Sequence, residues 1–262
     1  MKKLMIFNLF LAGLKLFSST VKEQSIIVTT YTYPGNSYWE KVVKMGGEKI
    51  SYVIINPSSG PGKKRDENYA SQIKKVKKAK IKVIGYIPTT YQKRPIKEVY
   101  DDIEKYFDLY GKENIDGFFF DEIAVEKEEE VKYMKELYNY VKGLSKDYLI
   151  VSNPGRQITD EISPYSDIFV TSEISGDEYI NRFTEPESEF EKDRKNSKHI
   201  YHIVYDVKPE QYETVVKLSR KRNAGWLMIT DDKLPNPYDK EPLNFSGMVE
   251  IIKNKNLLID NK

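Results

Sequence analysis

The sequence predicts a single (β/α)8 barrel, and three observations carry that prediction. Short runs rich in β-branched and aromatic residues alternate with longer charged stretches whose apolar residues recur every three or four positions. Eight such short runs follow residue 25. The chain has 262 residues, which fits one barrel of ~250 residues. Strand–helix units repeated in this way imply parallel strands joined by right-handed crossovers, and eight of them close into a barrel.

Each candidate strand is a short apolar run bounded by turn residues or charges. The eight predicted strands are Ile26–Tyr33, Ile50–Asn56, Lys82–Pro88, Ile115–Glu122, Leu149–Asn153, Asp167–Glu173, His199–Asp206 and Gly225–Asp231.

Helical spacing predicts a helix in most of the intervals, and glycines such as Gly111 mark the ends of some of them. The predicted helices are Tyr38–Met45, Glu67–Lys80, Ile96–Tyr110, Val125–Leu144, Ser175–Glu191, Pro209–Arg222 and Phe245–Lys253, with a short, weak one at Gln157–Ser163.

An open, doubly wound sheet is the alternative fold, but its usual glycine-rich phosphate turn does not follow the first strand. The chain does have one glycine-rich segment, Asn56-Pro-Ser-Ser-Gly-Pro-Gly62. It lacks the spacing of a phosphate-binding loop, and its prolines remove backbone donors. The sequence therefore argues against nucleotide binding, and it favours a rigid loop that presents Asn56 to a substrate.

The N-terminus has the order of a secretory signal. Lys2 and Lys3 precede an apolar run, Leu4–Phe17, and small polar residues follow it. We therefore predict a signal peptide over residues 1–20, a barrel domain over residues 21–262, and a secreted or cell-surface protein. An uncleaved amphipathic extension or an anchor is the alternative. No later segment has the ~20 apolar residues that a membrane span needs.

Composition narrows the classes of ligand. The net charge is +2 and the first twenty residues supply three lysines, so charge gives no case for nucleic acid. The chain has no cysteine, and its two histidines are not spaced as metal ligands, so we expect neither a metal nor a cofactor. Twenty tyrosines offer flat faces to sugar rings, although tyrosine also packs well in ordinary cores.

The candidate site follows from the fold, because barrel enzymes carry their catalytic residues at the C-terminal ends of the strands. Read in order, those ends form a ring of carboxylates, amides and phenols. They are Tyr31, Tyr33, Asn56, Tyr86, Asp121, Glu122, Asn153, Glu173, Tyr205, Asp206, Thr230 and Asp231. Of the two histidines, His202 is the one that can reach the barrel interior, but a structural role is the favoured interpretation.

Two strands end in acids after an apolar run, Ile115–Glu122 and Asp167–Glu173. Buried strands rarely end in unpaired acids, because removing a charge from water is costly. Two carboxylates across a barrel mouth are the minimal apparatus for cleaving a glycosidic bond, one protonated and one ionised. Alternatively, Asp121 or Glu122 caps the helix predicted to begin near Val125.

We predict Asp121, Glu122 and Glu173 as the catalytic residues. Glu122 is assigned as the general acid, Glu173 as the second carboxylate, and Asp121 as the residue that positions or tunes one of them, although the acid and base roles can be exchanged. The predicted substrate-binding residues are Tyr31, Tyr33, Asn56, Tyr86, Arg94, Asn153, Tyr205 and Asp231, and Trp226 is a further stacking candidate that can equally belong to the core.

The motifs in this order resemble the spherulin-4-like family of barrel glycoside hydrolases, over most of the chain after residue 26. They are Tyr33-Pro-Gly, Asn56-Pro-Ser-Ser-Gly-Pro-Gly, Gly85-Tyr-Ile-Pro with Tyr91 and Arg94, Asp116-Gly-Phe-Phe-Phe-Asp-Glu, Asn153-Pro-Gly and Glu173. The resemblance implies a secreted or surface endo-acting hydrolase of α-1,4-linked polysaccharide containing galactosamine, with catalytic acids at Asp121, Glu122 and Glu173.

The chain departs from that pattern in one loop. Relatives usually have Thr-Gly-Tyr-Gly before the arginine, whereas this chain has Thr89-Thr-Tyr-Gln-Lys-Arg94. Because the loop borders the cleft, the change affects the expected substrate more than the expected reaction. A fold does not by itself establish activity, so a secreted carbohydrate-binding or coat protein with little turnover is the alternative function.

Overall fold

Each strand of the barrel pairs in parallel with the next one along the chain, from the first to the eighth. The structure is a computed structural model, and it describes residue 21 and residues 23–257. Ser25 closes the barrel, since its N–H donates to the carbonyl of Gly225 (2.8 Å) and its carbonyl accepts from Leu227 (3.1 Å). The fold is therefore the predicted (β/α)8 barrel, while the predicted signal peptide, residues 1–20, lies outside the described residues.

The strands are short, and most occupy the centre of the predicted runs. They are β1 Ile27–Thr30, β2 Tyr52–Ile55, β3 Lys82–Pro88, β4 Gly117–Asp121, β5 Leu149–Ser152, β6 Ile168–Ser175, β7 Ile200–Tyr205 and β8 Trp226–Ile229. The α-helices are α1 Ser37–Met45, α2 Glu67–Lys78, α3 Ile96–Tyr110, α4 Glu128–Leu144, α5 Gly176–Asn181, α6 Glu189–Lys192, α7 Tyr212–Lys221 and α8 Phe245–Lys253.

Two helix predictions were wrong. The segment Gln157–Ser163 forms no helix, and only a single 3-10 turn, Ser163–Tyr165, follows it. The predicted helix Ser175–Glu191 is two short helices, α5 and α6, separated by an extended stretch that contains Pro186. Proline lacks the N–H that a continuous helix needs and disfavours helical backbone in the residue before it.

Alternation along the strands divides the core into two layers. In β4, Phe119 points into the barrel, where it packs with residues such as Ile84 and Val151, whereas Phe118 and Phe120 pack outward against the helices. This alternation places Asp121 on the interior side, since residues two apart in a strand share a face. Among the described residues, no helix is both long and apolar enough to cross a membrane.

Candidate active site

A cavity of about 210 Å³ opens at the C-terminal end of the barrel. Its floor comes from the strands and one wall comes from the loop between β8 and α8, residues 230–244. The lining residues are Thr29, Tyr31, Phe119, Asp121, Asn153, Glu173, Ile203, Leu234, Pro235, Asn236, Pro237 and Tyr238. Two of the three predicted catalytic acids, Asp121 and Glu173, therefore share one cavity.

Glu173 faces this cavity because β6 contains a β-bulge. Val170 pairs with Tyr201 of β7, but the next pairs join Ser172 to His202 and Glu173 to Ile203, so Thr171 is an extra residue. Val170 and Ile203 both pack in the barrel interior. Without the extra residue, simple alternation from Val170 would turn Glu173 outward; the bulge restores its inward orientation.

The side chain of Asn153, at the end of β5, joins the two acids. Its amide nitrogen donates to Asp121 Oδ1 at 2.8 Å and to Glu173 Oε2 at 2.7 Å. The two carboxylate oxygens thus lie no more than 5.5 Å apart, the sum of the two bond lengths. The Asn153 carbonyl oxygen accepts from the N–H of Gly155 (2.8 Å), which fixes the orientation of the amide. Asn153 therefore sets the spacing of the pair.

Two tyrosines complete the hydrogen bonding of the acids. The Tyr86 hydroxyl donates to Asp121 Oδ2 at 2.8 Å, and the Tyr238 hydroxyl donates to Glu173 Oε1. Tyr31 packs edge-on between them, with ring centroids 5.5 Å from Tyr86 and 5.6 Å from Tyr238. Each of the four carboxylate oxygens consequently accepts a hydrogen bond from a side chain of the protein.

Tyr238 lines the cavity and donates to Glu173, but the strand ends did not reveal it. It lies in the β8–α8 loop, nine residues beyond the last residue of β8, Ile229. The available signal was the segment Leu-Pro-Asn-Pro-Tyr238, in which two prolines stiffen a loop that ends in an aromatic residue.

Burial in the cavity changes the pKa of Asp121 and of Tyr238. Burial raises the pKa of Asp121 from its ordinary 3.8 to about 6, the negative charge of Glu173 adds to the rise, and hydrogen bonds from Tyr86, the Glu122 backbone and Asn153 oppose it. Burial also raises the pKa of Tyr238, and the negative charge of Glu173 does so further. The tyrosine therefore keeps its proton and acts as a donor.

Glu122 lies outside the set of residues that line the cavity. Its φ of 57° is left-handed, so β4 ends at Asp121 and the two consecutive acids escape the strict alternation of a strand. Its backbone carbonyl accepts from Tyr91 N–H (2.7 Å) and from the Thr89 hydroxyl (2.8 Å). Within residues 23–257, no hydrogen bond or ion pair holds its half-buried side chain.

The alternative that Asp121 or Glu122 caps the following helix is wrong. Helix α4 begins only at Glu128, with Lys127 before it. The carboxylate of Glu130 accepts from the N–H groups of Glu126 and Lys127 and so satisfies the start of that helix itself.

Other predicted binding residues have partners elsewhere on the rim. Arg94 bonds to Asp102 (2.6 Å) and to the carbonyl of Pro88 (3.0 Å), which directs it towards α3. The Asn56 side chain accepts from Gly60 N–H (2.9 Å) and braces its own loop. None of these residues is among those that line the cavity.

The remaining predicted residues lie further out. Tyr33 is 54% exposed, and its hydroxyl donates to Asp66 (2.9 Å). Asp231 accepts from the N–H of Leu243 (2.7 Å) and thereby ties the β8–α8 loop. Tyr205 is half-buried at the end of β7, and burial raises its pKa.

His202 and Trp226, which the sequence also singled out, have structural roles. His202 points outward from β7, and its Nδ1 lies 2.7 Å from the Tyr179 hydroxyl, while burial lowers its pKa to about 3. The structural interpretation of His202 is therefore confirmed. Trp226 begins β8 at the opposite end of the barrel, where its Nε1 donates to the carbonyl of Lys198 (2.7 Å).

The departure from the family pattern in the β3–α3 loop, residues 89–95, has a conformational meaning. Thr90 and Gln92 stand where relatives usually have glycine, and their φ angles are 53° and 54°. Glycine reaches this left-handed region without strain, whereas other residues do not. The loop thus keeps the shape that favours glycine although it lacks glycine at both positions.

No group of three or more histidine, aspartate or glutamate side chains within the described part of the chain is arranged to hold a metal ion. The groups gathered in the cavity are instead paired carboxylates with phenol and amide donors.

Comparison with known proteins agrees with this architecture. The chain is 30% identical to Spherulin-4 of Physarum polycephalum over 160 residues, which are 60% of this chain and 47% of the relative, so the match spans about half of that protein. The structure of Aspergillus clavatus Sph3 in complex with GalNAc superposes with a TM-score of 0.71 at 24% identity, covering 88% of this chain and 98% of that one.

A fungal endo-beta-N-acetylglucosaminidase of glycosyl hydrolase family 18 shares the fold with a TM-score of 0.55 at 14% identity, over 88% of this chain and 99% of that one. The profile of the spherulation-specific family 4 matches residues 25–252, which include every strand and most of every helix of the barrel. The chain belongs to the spherulation-specific family 4.

Proposed function

We propose that this protein is an endo-acting glycoside hydrolase that cleaves an α-1,4-linked polysaccharide containing galactosamine or N-acetylgalactosamine. The observation that carries the proposal is the pair Asp121 and Glu173, joined by Asn153 in a cavity at the C-terminal mouth of a barrel. Carboxylates gathered at the mouth of a barrel are the groups that glycosidic bond cleavage needs. The sugar is supported by the similarity to Sph3, whose structure contains GalNAc.

In this mechanism the three acids have different tasks. Glu173, which accepts hydrogen bonds on both oxygens, acts as the nucleophile on the anomeric carbon or as the base that takes a proton from the attacking water. Glu122 protonates the leaving oxygen as general acid; it adjoins Asp121 at the end of β4, and within residues 23–257 no hydrogen bond or ion pair engages its carboxyl group. Asp121, with its raised pKa, regulates the charge beside Glu173.

The first test measures reducing ends released from a panel of polysaccharides, with galactosamine-containing α-glycans first. The wild type is compared with Glu122→Gln and Glu173→Gln. We expect release by the wild type and a loss of several orders of magnitude in both variants. If no glycan is cut but one binds equally well to all three proteins, the carbohydrate-binding alternative replaces the hydrolase.

A second test separates the acid from its partners. An aryl N-acetylgalactosaminide with an acidic phenol as leaving group needs no protonation. We expect this substrate to restore turnover by Glu122→Gln but not by Glu173→Gln. Restoration in Glu173→Gln instead would exchange the acid and base roles of the two glutamates, and restoration in Asp121→Asn would assign the acid to Asp121.

We also propose that the protein acts outside the cell. The support is the basic, apolar, then polar order of residues 1–20. Expression of the whole chain beside a variant that lacks residues 2–20 tests this proposal: the whole chain should accumulate in the medium or at the cell surface, and the variant inside the cell.

A further inference from the structure

The β3–α3 loop contains a backbone conformation that is rare outside glycine. Three consecutive residues, Thr90, Tyr91 and Gln92, have φ angles of 53°, 54° and 54°. The left-handed region is disfavoured for residues with a Cβ, and a run of three is more unusual than a single one. Such a run persists only where surrounding contacts hold it, and it is found preferentially at functional sites.

Contacts to the segment after β4 hold this loop on both sides of Tyr91. Before it, the Thr89 N–H and hydroxyl bond to the Asp121 carbonyl (3.0 and 3.1 Å). After it, the Gln92 amide donates to the Ala124 carbonyl (2.9 Å) and accepts from its N–H (2.8 Å). The loop is therefore attached to the segment that carries two of the proposed catalytic acids.

The result is an exposed aromatic ring beside the site. Tyr91 is 55% exposed, and its N–H donates to the Glu122 carbonyl at 2.7 Å. Within residues 23–257, its side chain has no hydrogen bond and its ring no aromatic partner. Tyr33, which is equally exposed, differs because Asp66 and Asn68 hold its hydroxyl and its ring packs edge-on against Tyr69.

The Tyr91 ring extends from a backbone that hydrogen bonds hold in place, and the ring is left uncovered. Such an aromatic face is suited to a sugar ring, which presents an apolar surface on its C–H face. Tyr91 is not among the residues that line the 210 Å³ cavity. We infer that Tyr91 is the stacking platform of a second sugar-binding subsite, next to Glu122 and outside the cavity of Asp121 and Glu173. This inference rests on the proposed function, since it takes a chain of sugars as the ligand.

The test measures the binding of an α-1,4-linked N-acetylgalactosamine hexasaccharide and of free N-acetylgalactosamine by calorimetry. The parent is the full protein with Glu173→Gln, so that no ligand is consumed. Tyr91→Ala and the matched control Tyr91→Phe are each added to that parent. Because Tyr91 is exposed, both variants should keep the parent's melting temperature.

We expect Tyr91→Ala to weaken hexasaccharide binding about tenfold and Tyr91→Phe to leave it within twofold, with the binding of the single sugar unchanged in both. Equal hexasaccharide affinity in Tyr91→Ala and the parent would overturn the inference. So would an equal loss in Tyr91→Phe, a matching loss for the single sugar, or a parent that does not bind the hexasaccharide. A wild type that binds the hexasaccharide but never cleaves it would refute the hydrolase while leaving the stacking test valid.

Discussion

Strands β4 and β6 carry acids at or near both of their ends, and the acids at the two ends have different partners. At the N-terminal ends, Asp116 pairs with Lys77 (2.7 Å) and Asp167 pairs with Lys142 (2.6 Å). Each of these acids also accepts a backbone N–H from the neighbouring strand at 2.8 Å. They resemble ordinary structural ion pairs.

Towards the C-terminal ends of the same strands, Asp121 and Glu173 face each other, and no cation among residues 23–257 pairs with either. Within the same residues only neutral donors reach their oxygens, namely the side chains of Asn153, Tyr86 and Tyr238 and the backbone of Glu122. Leaving two acids uncompensated destabilises the folded protein, which is typical of active sites. Within the described residues, the acids at the N-terminal ends are thus held in ion pairs, whereas the two near the C-terminal ends have no charged partner.

The largest effect is expected from Glu173→Gln. The change preserves shape but removes the charge of the proposed nucleophile or base, so activity should fall roughly 10³-fold or more. Initial rates on the cleaved polysaccharide measure this loss. The matched control is Glu126→Gln, an exposed acid of the same rim that pairs with Arg156 and should retain activity within twofold. Equal activity in Glu173→Gln and the wild type would contradict the assignment.

Asp121→Asn should reduce activity and yet stabilise the protein at neutral pH. The folded pKa of Asp121 is raised from 3.8 to about 6, so the wild type loses stability as the pH rises through that interval and stays at the lower level above it. Removing the charge should raise the free energy of unfolding by about 1–3 kcal/mol at pH 7.

The same variant should gain almost nothing at pH 3.5, where Asp121 is protonated in the folded protein and mostly protonated in the unfolded one. Urea denaturation at the two pH values measures the difference. A gain of equal size at both pH values would mean that packing, rather than charge, is responsible.

Tyr238→Phe should have a smaller effect on activity. The ring stays in place beside Tyr31, but the hydroxyl no longer donates to Glu173. We expect a roughly 10- to 100-fold loss of kcat with KM nearly unchanged, because the lost bond acts on a protein group. Steady-state kinetics distinguishes this result from a rise in KM alone, which would make Tyr238 a substrate-binding residue.

At the other end of the barrel, Lys142→Met should leave activity unchanged and lower the free energy of unfolding by about 1–2 kcal/mol. The change leaves Asp167 unpaired and removes a bond to the Tyr148 carbonyl (2.8 Å). Lys97→Met, in the exposed pair with Asp101, is the control and should fall within experimental error. Lost activity in Lys142→Met would contradict the view that the ion pair at this end of the barrel serves stability alone.

The fold could be predicted because local signals coincide with the tertiary structure. Strand β3 and helices α3 and α8 have the predicted bounds, since apolar spacing and flanking turn residues agree there. The segment Gln157–Ser163 misled the prediction because its apolar residues, Ile158 and Ile162, are buried by a loop rather than by a helix.

The site could be predicted only in part. The cavity positions of Asp121 and Asn153 could be predicted because Asp121 ends β4 and Asn153 directly follows β5, and they share the inward orientation of Phe119 and Val151. The reason that Glu173 faces inward was not accessible, since the bulge at Thr171 depends on pairing with β7. Tyr238 was missed because a long loop returns it to the cavity, and loop paths depend on contacts that sequence periodicity does not encode.

The amide of Asn153 has one more consequence. Strands β4 and β6 do not touch each other, since β5 lies between them. The distance between the two acids is therefore set by one side-chain nitrogen atom at the end of the intervening strand and not by direct pairing of the strands that carry the acids. Substitutions at position 153 should therefore change the distance between Asp121 and Glu173 while both acids remain intact.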